Sequence, residues 1–181
     1  MRQGTIRTRT RHVGMMIALG SFAMGRPPRL QRFKYAGKHS YFLTMCTYGR
    51  AQVFRDDEWA GQMIARIRRT ARIFDFAILA YCVMPDHVHL LLAGRSAKAD
   101  LRRFVKRTKQ SLGQTYATRT NRRLWQEGYF DRVLRPEESE ASITKYIIEN
   151  PVRAGLVTTA IDYPYMGSDV WPLEDIIAAV L

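Results

Sequence analysis

The residues best suited to chemistry in this 181-residue chain are His87 and His89, separated by one valine. On a strand successive side chains alternate faces, so both imidazoles point one way and Val88 the other. Two imidazoles a few ångströms apart make half of a site for a divalent ion. The flanking residues 81–84 and 90–92 are apolar, which places the pair in mid-sheet. An imidazole there costs free energy unless it is ligated or hydrogen-bonded. Two ligands do not close a structural zinc site, so substrate oxygens or further side chains must complete the shell. Asp86 reads first as a turn residue after Pro85 and second as a third ligand. His12 and His39 have no metal-ligand spacing to the pair and read as surface residues.

Tyr146 and Asn150 lie four residues apart, on one face of a helix if their segment is helical. A deprotonated phenol is a nucleophile, and an amide oxygen is a hard metal ligand. Spacing alone leaves blander uses open: Tyr146 as a core-edge tyrosine, Asn150 as the polar end of a helix before Pro151.

The elements that must position these residues follow from periodicity and punctuation. Residues 41–48 are aromatic and Thr-rich, 74–84 are nearly all apolar, and 87–93 pair back across the Pro85-Asp86 turn, giving three strands. Residues 125–135 read as a fourth strand or strand-like loop. A helix begins at Asp56 or Asp57 and runs to about residue 72, with Trp59, Met63, Ile64 and Ile67 at helical spacing. A second helix covers about 100–119 and a third 138–150, stopped by Pro151 and followed by Gly155. The order predicts an α+β, ferredoxin-like sandwich, mostly antiparallel, with helices packed on one face. Residues 161–181 end in a short amphipathic helix to which no chemistry attaches.

Composition narrows the partner. At 46% hydrophobic and 25% charged, the chain fits one domain with short extensions. Its 29 Lys+Arg against 16 Asp+Glu give +13, which predicts an anionic partner, nucleic acid first and an acidic membrane surface second. Cys46 and Cys82 supply neither a disulfide framework nor a metal-binding C-x-x-C pair, as expected of core residues in a reducing compartment. Arg102, Arg103, Lys106, Arg107 and Lys109 line one face of the second helix, a track for phosphates. Trp125, Tyr129 and Phe130 can stack bases or pack in the core, and Arg132 and Arg135 can touch phosphate. Residues 1–23 combine four arginines with an apolar run too short to span a bilayer. They outline a secretory signal, but a start at Met24 is the preferred reading. Without them the charge is still +9. The expected plan is a basic extension over 1–30, a functional domain over 31–165 and a tail over 166–181.

Three stretches carry a resemblance: Met-Pro-Asp-His-Val-His-Leu-Leu-Leu, Leu-Trp-Gln-Glu-Gly-Tyr-Phe-Asp-Arg-Val-Leu-Arg, and Ile-Thr-Lys-Tyr-Ile-Ile-Glu-Asn-Pro-Val-Arg-Ala-Gly-Leu-Val. In this order they resemble the single-tyrosine HUH transposases of the IS200-like type, and most closely the branch associated with repetitive extragenic palindromes (REP). The resemblance covers about residues 41–165. It implies His87 and His89 as metal ligands, Tyr146 as nucleophile and Asn150 as third ligand. It further implies a divalent cation, Mg²⁺ or Mn²⁺ by ligand hardness, and single-stranded or hairpin DNA with palindromic repeats as partner. The reaction would be metal-dependent endonuclease and strand-transfer chemistry through a 5′-phosphotyrosine. The competing expectation is a catalytically idle module that binds structured palindromes. Monomer and homodimer are both compatible with the sequence. The expected location is the cytoplasm, at the nucleoid, with no membrane partner.

Overall fold

The computed structural model describes residues 35–135 and 139–181. The basic extension expected over 1–30, with its apolar run and His12, lies outside the described residues. Strand β1 (Ser40–Cys46) is followed by helix α1 (Asp57–Ile73), strands β2 (Phe76–Met84) and β3 (His87–Gly94), and helix α2 (Leu101–Thr120). Then come β4 (Phe130–Val133), α3 (Glu140–Arg153), β5 (Met166–Gly167) and α4 (Leu173–Val180). The helix starts follow from their caps. Asp56 accepts from the Trp59 N–H at 3.1 Å and Asp100 from the Arg103 N–H at 2.9 Å, satisfying donors that have no partner within the first turn.

The sheet runs β4-β1-β3-β2-β5, with every pairing antiparallel. The α+β class and the antiparallel sheet are as expected, but the helices, expected on one face, divide between both. Tyr41, Leu43 and Met45 of β1 and Val88, Leu90 and Leu92 of β3 join the core beneath α1 and α2. Phe42, Cys82 and Leu91 join a second core beneath α3 and α4. The physical reason lies in β2 and β3, which are apolar at odd and even positions alike and so need cover on both sides. A bulge at Leu79 shifts the β2–β3 register between Ile78 and Ala80. It delivers Ile78 to one core and Ala80 to the other, where an unbroken pleat would send both the same way. Residues 166–181, expected as a tail, supply the edge strand β5 and helix α4, which packs into the second core through Ile176.

The third helix departs from expectation at its end. Pro151 reads as its stop, yet α3 continues to Arg153. Proline removes one N–H and crowds the preceding turn, and here two further helical residues follow it. The stop is instead a Schellman closure. Gly155, at φ 66°, donates its N–H to the Val152 carbonyl at 2.9 Å, and Leu156 donates to that of Pro151 at 2.9 Å.

Glycine substitutions test the packing at the end of β3. A Cβ on Gly94 would stand 2.1 Å from the Gly37 carbonyl oxygen and 3.0 Å from the Ala99 Cβ, whereas one on Gly61, inside α1, would meet nothing within 4 Å. Gly94→Ala is expected to destabilise by about 1–3 kcal/mol through overpacking. Gly61→Ala should stabilise by up to about 1 kcal/mol through helix propensity. Denaturant unfolding of the two variants checks both signs.

Candidate active site

The β2–β3 hairpin turns at Pro85-Asp86, pairing Met84 with His87 and Cys82 with His89. On the other side of β3, Cys46 lies opposite His87 and Thr44 opposite His89. Directly paired residues share a sheet face, so His87, His89, Thr44 and Phe42 all face α3. His89 is 3% exposed, and the Phe42 ring stacks on it at 5.5 Å between centroids.

The two imidazoles meet edge to face, with their Nε2 atoms 3.1 Å apart. Each ring's other nitrogen is already engaged: His87 Nδ1 with Asp86 Oδ1 at 2.6 Å, and His89 Nδ1 with Thr44 Oγ1 at 2.9 Å. A carboxylate only accepts, so His87 donates from Nδ1, and in the neutral ring its Nε2 lone pair then points at His89. If Thr44 donates, His89 carries its proton between the two Nε2 atoms. If Thr44 accepts, two lone pairs converge and call for a cation. Two donors at right angles, each about 2.1 Å from one ion, lie about 3 Å apart, so the pair fits a shared divalent ion. Among the described residues no third His, Cys, Asp or Glu joins them. Asp86 therefore serves as the expected turn residue, and its carboxylate orients His87.

Charges around the pair are arranged asymmetrically. Burial pushes His89 well below the ordinary imidazole range, reinforced by a protonated His87 and by the positive charges of Arg153 and Arg50. At Asp86 burial opposes ionisation, but the hydrogen bond to His87, the charge of that ring when protonated and the charge of Arg50 outweigh it, leaving the carboxyl below its ordinary value. Arg50 makes that contact at 2.9 Å and also donates to Cys46 Sγ at 3.0 Å.

Helix α3 covers the histidine face. Tyr146 lies edge-on to His89 and to Phe42, at 5.5 and 5.8 Å between centroids, and is buried with Asn150. The Asn150 amide donates to the Tyr146 carbonyl at 2.7 Å, while its oxygen accepts from Arg153 at 3.1 Å. The Arg153 guanidinium lies over the Tyr146 ring, 4.4 Å from its centroid. The fold thus brings His87, His89 and Tyr146 together, with Asn150 one turn further along the same helix.

The expected DNA contacts are scattered. Arg102, Arg103, Lys106 and Arg107 are exposed on α2, across the sheet from the histidine pair, because α2 belongs to the other core. Arg102 lies over the Tyr35 ring and Arg103 over Phe74. Two expected contacts are built into the fold instead. Lys109 donates to the Gln126 carbonyl at 2.8 Å and to that of Gly128, latching the loop before β4. Trp125 is core: its indole N–H donates to the Lys109 carbonyl at 3.0 Å, and its ring packs on Phe54 and beside Gly113. Tyr129 packs against the first core and Phe130 against the second. Arg132 pairs with Phe42 in register, which puts it on the histidine face, and Arg135 is exposed just beyond β4.

A family model described as "Transposase IS200 like" matches residues 36–150, more than half of the chain. The chain belongs to the IS200-like transposases. A Haemophilus influenzae protein whose name is REP-associated tyrosine transposase, there prefixed as provisional, is 26% identical over 137 residues, spanning 69% of this chain and 77% of that protein. A solved structure described as a REP-associated tyrosine transposase bound to a REP hairpin matches with TM-score 0.66 at 21% identity. That match covers 83% of this chain and 86% of the other, and it speaks for the fold. The family resemblance carried by the three sequence motifs is borne out.

Sequence reasoning missed several members of this transposase's site. Thr44 and Phe42 carry no chemical signal of their own and reach His89 only through strand register. Arg50 sits in a short turn after β1, at φ 57°, and no periodicity points to it. Arg153 was hidden by the expectation that Pro151 ends the helix. The buried His89 yields a prediction. The folded state binds its proton less readily than the unfolded chain, so the stability contributed by neutral His89 is full above the unfolded value of 6.5 and is lost as pH falls below it. Unfolding free energy measured from about pH 8 to about pH 5 should decline, and His89→Gln should flatten that decline.

Proposed function

We propose that this transposase is a metal-dependent single-strand DNA endonuclease and strand-transferase that acts on hairpin or palindromic repeats through a 5′-phosphotyrosine link. The observation that carries the reading is the pair of Nε2 atoms 3.1 Å apart, with the Tyr146 ring edge-on to His89. His87, His89 and the Asn150 amide oxygen would hold a divalent cation, Mg²⁺ or Mn²⁺, as a neutral-nitrogen and oxygen donor set suits. When bound, such an ion offsets charge on phosphate oxygens. Tyr146 attacks phosphorus through its phenol oxygen and releases its proton to solvent. The P–O bond to the 3′-oxygen breaks as the P–O bond to Tyr146 forms, and the departing 3′-oxygen takes a proton from solvent, leaving a free 3′-hydroxyl and a 5′-phosphotyrosine. The number of phosphodiester bonds is unchanged, so strand joining is the same step reversed and needs no nucleotide triphosphate. The REP hairpin held by the structural relative supports hairpin DNA as substrate. Acting on such DNA would put the protein in the cytoplasm, at the nucleoid.

Labelled single-stranded palindrome DNA tests this on a denaturing gel. With Mg²⁺ or Mn²⁺, label should shift into a protein band; chelator or Tyr146→Phe should abolish that band while a native gel still shows binding. Uncleaved DNA with retained binding under every condition would sink the transesterase reading in favour of the idle binding module.

The cations divide by layer. Replacing Arg102, Lys106 or Arg107 with Gln should weaken hairpin binding and flatten the dependence of log affinity on log salt by about one for each cation removed. The adduct rate at saturating DNA should hold, because α2 lies across the sheet from Tyr146. Lys109→Met should instead lower the melting temperature, since that amine holds two loop carbonyls. Filter binding over a salt series and thermal melts separate the two effects.

A further inference from the structure

Arg153 is an exposed residue at the end of a helix, yet its guanidinium turns back toward that helix. It folds back over Tyr146, 4.4 Å from the ring centroid, and donates to Asn150 Oδ1 at 3.1 Å. Its charge also reaches His89. Among the described residues no carboxylate pairs with it. The Schellman closure at Gly155 makes this possible by carrying the helix beyond Pro151. Tyr146, Asn150 and Arg153 then stand at i, i+4 and i+7 on one face.

We propose that Arg153 is a positioning residue of this site, holding the Tyr146 ring and the Asn150 amide as one rigid unit; the proposal rests on the transesterase reading above. Two constraints act together. A guanidinium over an aromatic face favours one plane for that ring, and the ring's other neighbours, His89 and Phe42, present only edge-to-face contacts. The Asn150 amide is tied at both ends, its nitrogen to the Tyr146 carbonyl and its oxygen to Arg153. It therefore cannot flip, and the oxygen keeps a second lone pair for a cation. Arginine has five N–H donors in a planar fork, so those left over from Asn150 can meet a DNA phosphate. A helix-end cation serving only the helix dipole would need none of these contacts.

The test compares the full chain with Arg153→Ala and Arg153→Lys, using a labelled single-stranded palindrome and Mn²⁺. Adduct formation at saturating DNA should fall about 10–100-fold in Arg153→Ala, as for residues that orient a metal ligand, while hairpin affinity changes far less. Arg153→Lys, which keeps the charge but loses the fork, should recover only part of the rate. Millimolar guanidinium ion should restore part of the rate to Arg153→Ala and none to Tyr146→Phe. A wild-type rate in Arg153→Ala, or a loss that guanidinium leaves unrepaired, would overturn the proposal. Mn²⁺ affinity, read by electron paramagnetic resonance without DNA, gives an independent decision. If wild-type protein forms no adduct, the transesterase reading falls, and Arg153 is judged by Mn²⁺ alone. Weaker Mn²⁺ binding in Arg153→Ala then upholds its grip on Asn150, and unchanged binding rejects it.

Discussion

The β2–β3 hairpin is apolar on both of its faces, and much of the architecture answers that constraint. A sheet with one wet face needs only one layer of helices. Here Val88, Leu90 and Leu92 point to one side and Leu91, Cys82 and Met84 to the other, all buried. Covering both sides takes α1 and α2 on one face and α3 and α4 on the opposite one. Full burial of each large apolar side chain contributes about 1.5–3 kcal/mol, so neither layer is dispensable. The histidine pair interrupts the apolar pattern on the α3 side, and α3 therefore has to bring groups compatible with buried imidazoles.

The polar groups around the pair meet that requirement by hydrogen bonding. Asp86 and Thr44 each take one Nδ1, leaving the Nε2 atoms turned toward one another. Arg50 approaches through Asp86 and Arg153 through Tyr146 and Asn150. Both cations work against protonation of His89, keeping a lone pair available in a place where burial already favours the neutral ring. Arg50 and Arg153 place positive charge at the rim of the buried pair, an arrangement that favours the approach of an anion.

Backbone details at the end of α3 matter as much as side-chain identity. Proline inside a helix usually marks its end, but Pro151 forgoes only its own bond to the Ile147 carbonyl, and the helix still runs on to Arg153. Gly155 supplies the left-handed residue that closes the helix, and two backbone hydrogen bonds cap it. The extra residues shift Arg153 from a loop onto the face that carries Tyr146 and Asn150.

Much of this was legible in the sequence because the governing rules are local. Alternation along a strand put His87 and His89 on one side, the Pro-Asp turn fixed the hairpin, Asp56 and Asp100 marked two helix starts, and three ordered motifs carried the family resemblance. What tertiary structure alone decided is non-local. Cross-strand register brought Thr44 and Phe42 to His89, and two-sided burial sent α3 to the face opposite α2. That placement separated the α2 cations from the histidine pair and drew Trp125 and Lys109 into structural contacts. A linear pattern reports which way a side chain faces on its own element; which partner waits on that side depends on how the elements stack. The sequence by itself therefore determined the chemical inventory and the family, and packing decided which members of that inventory meet.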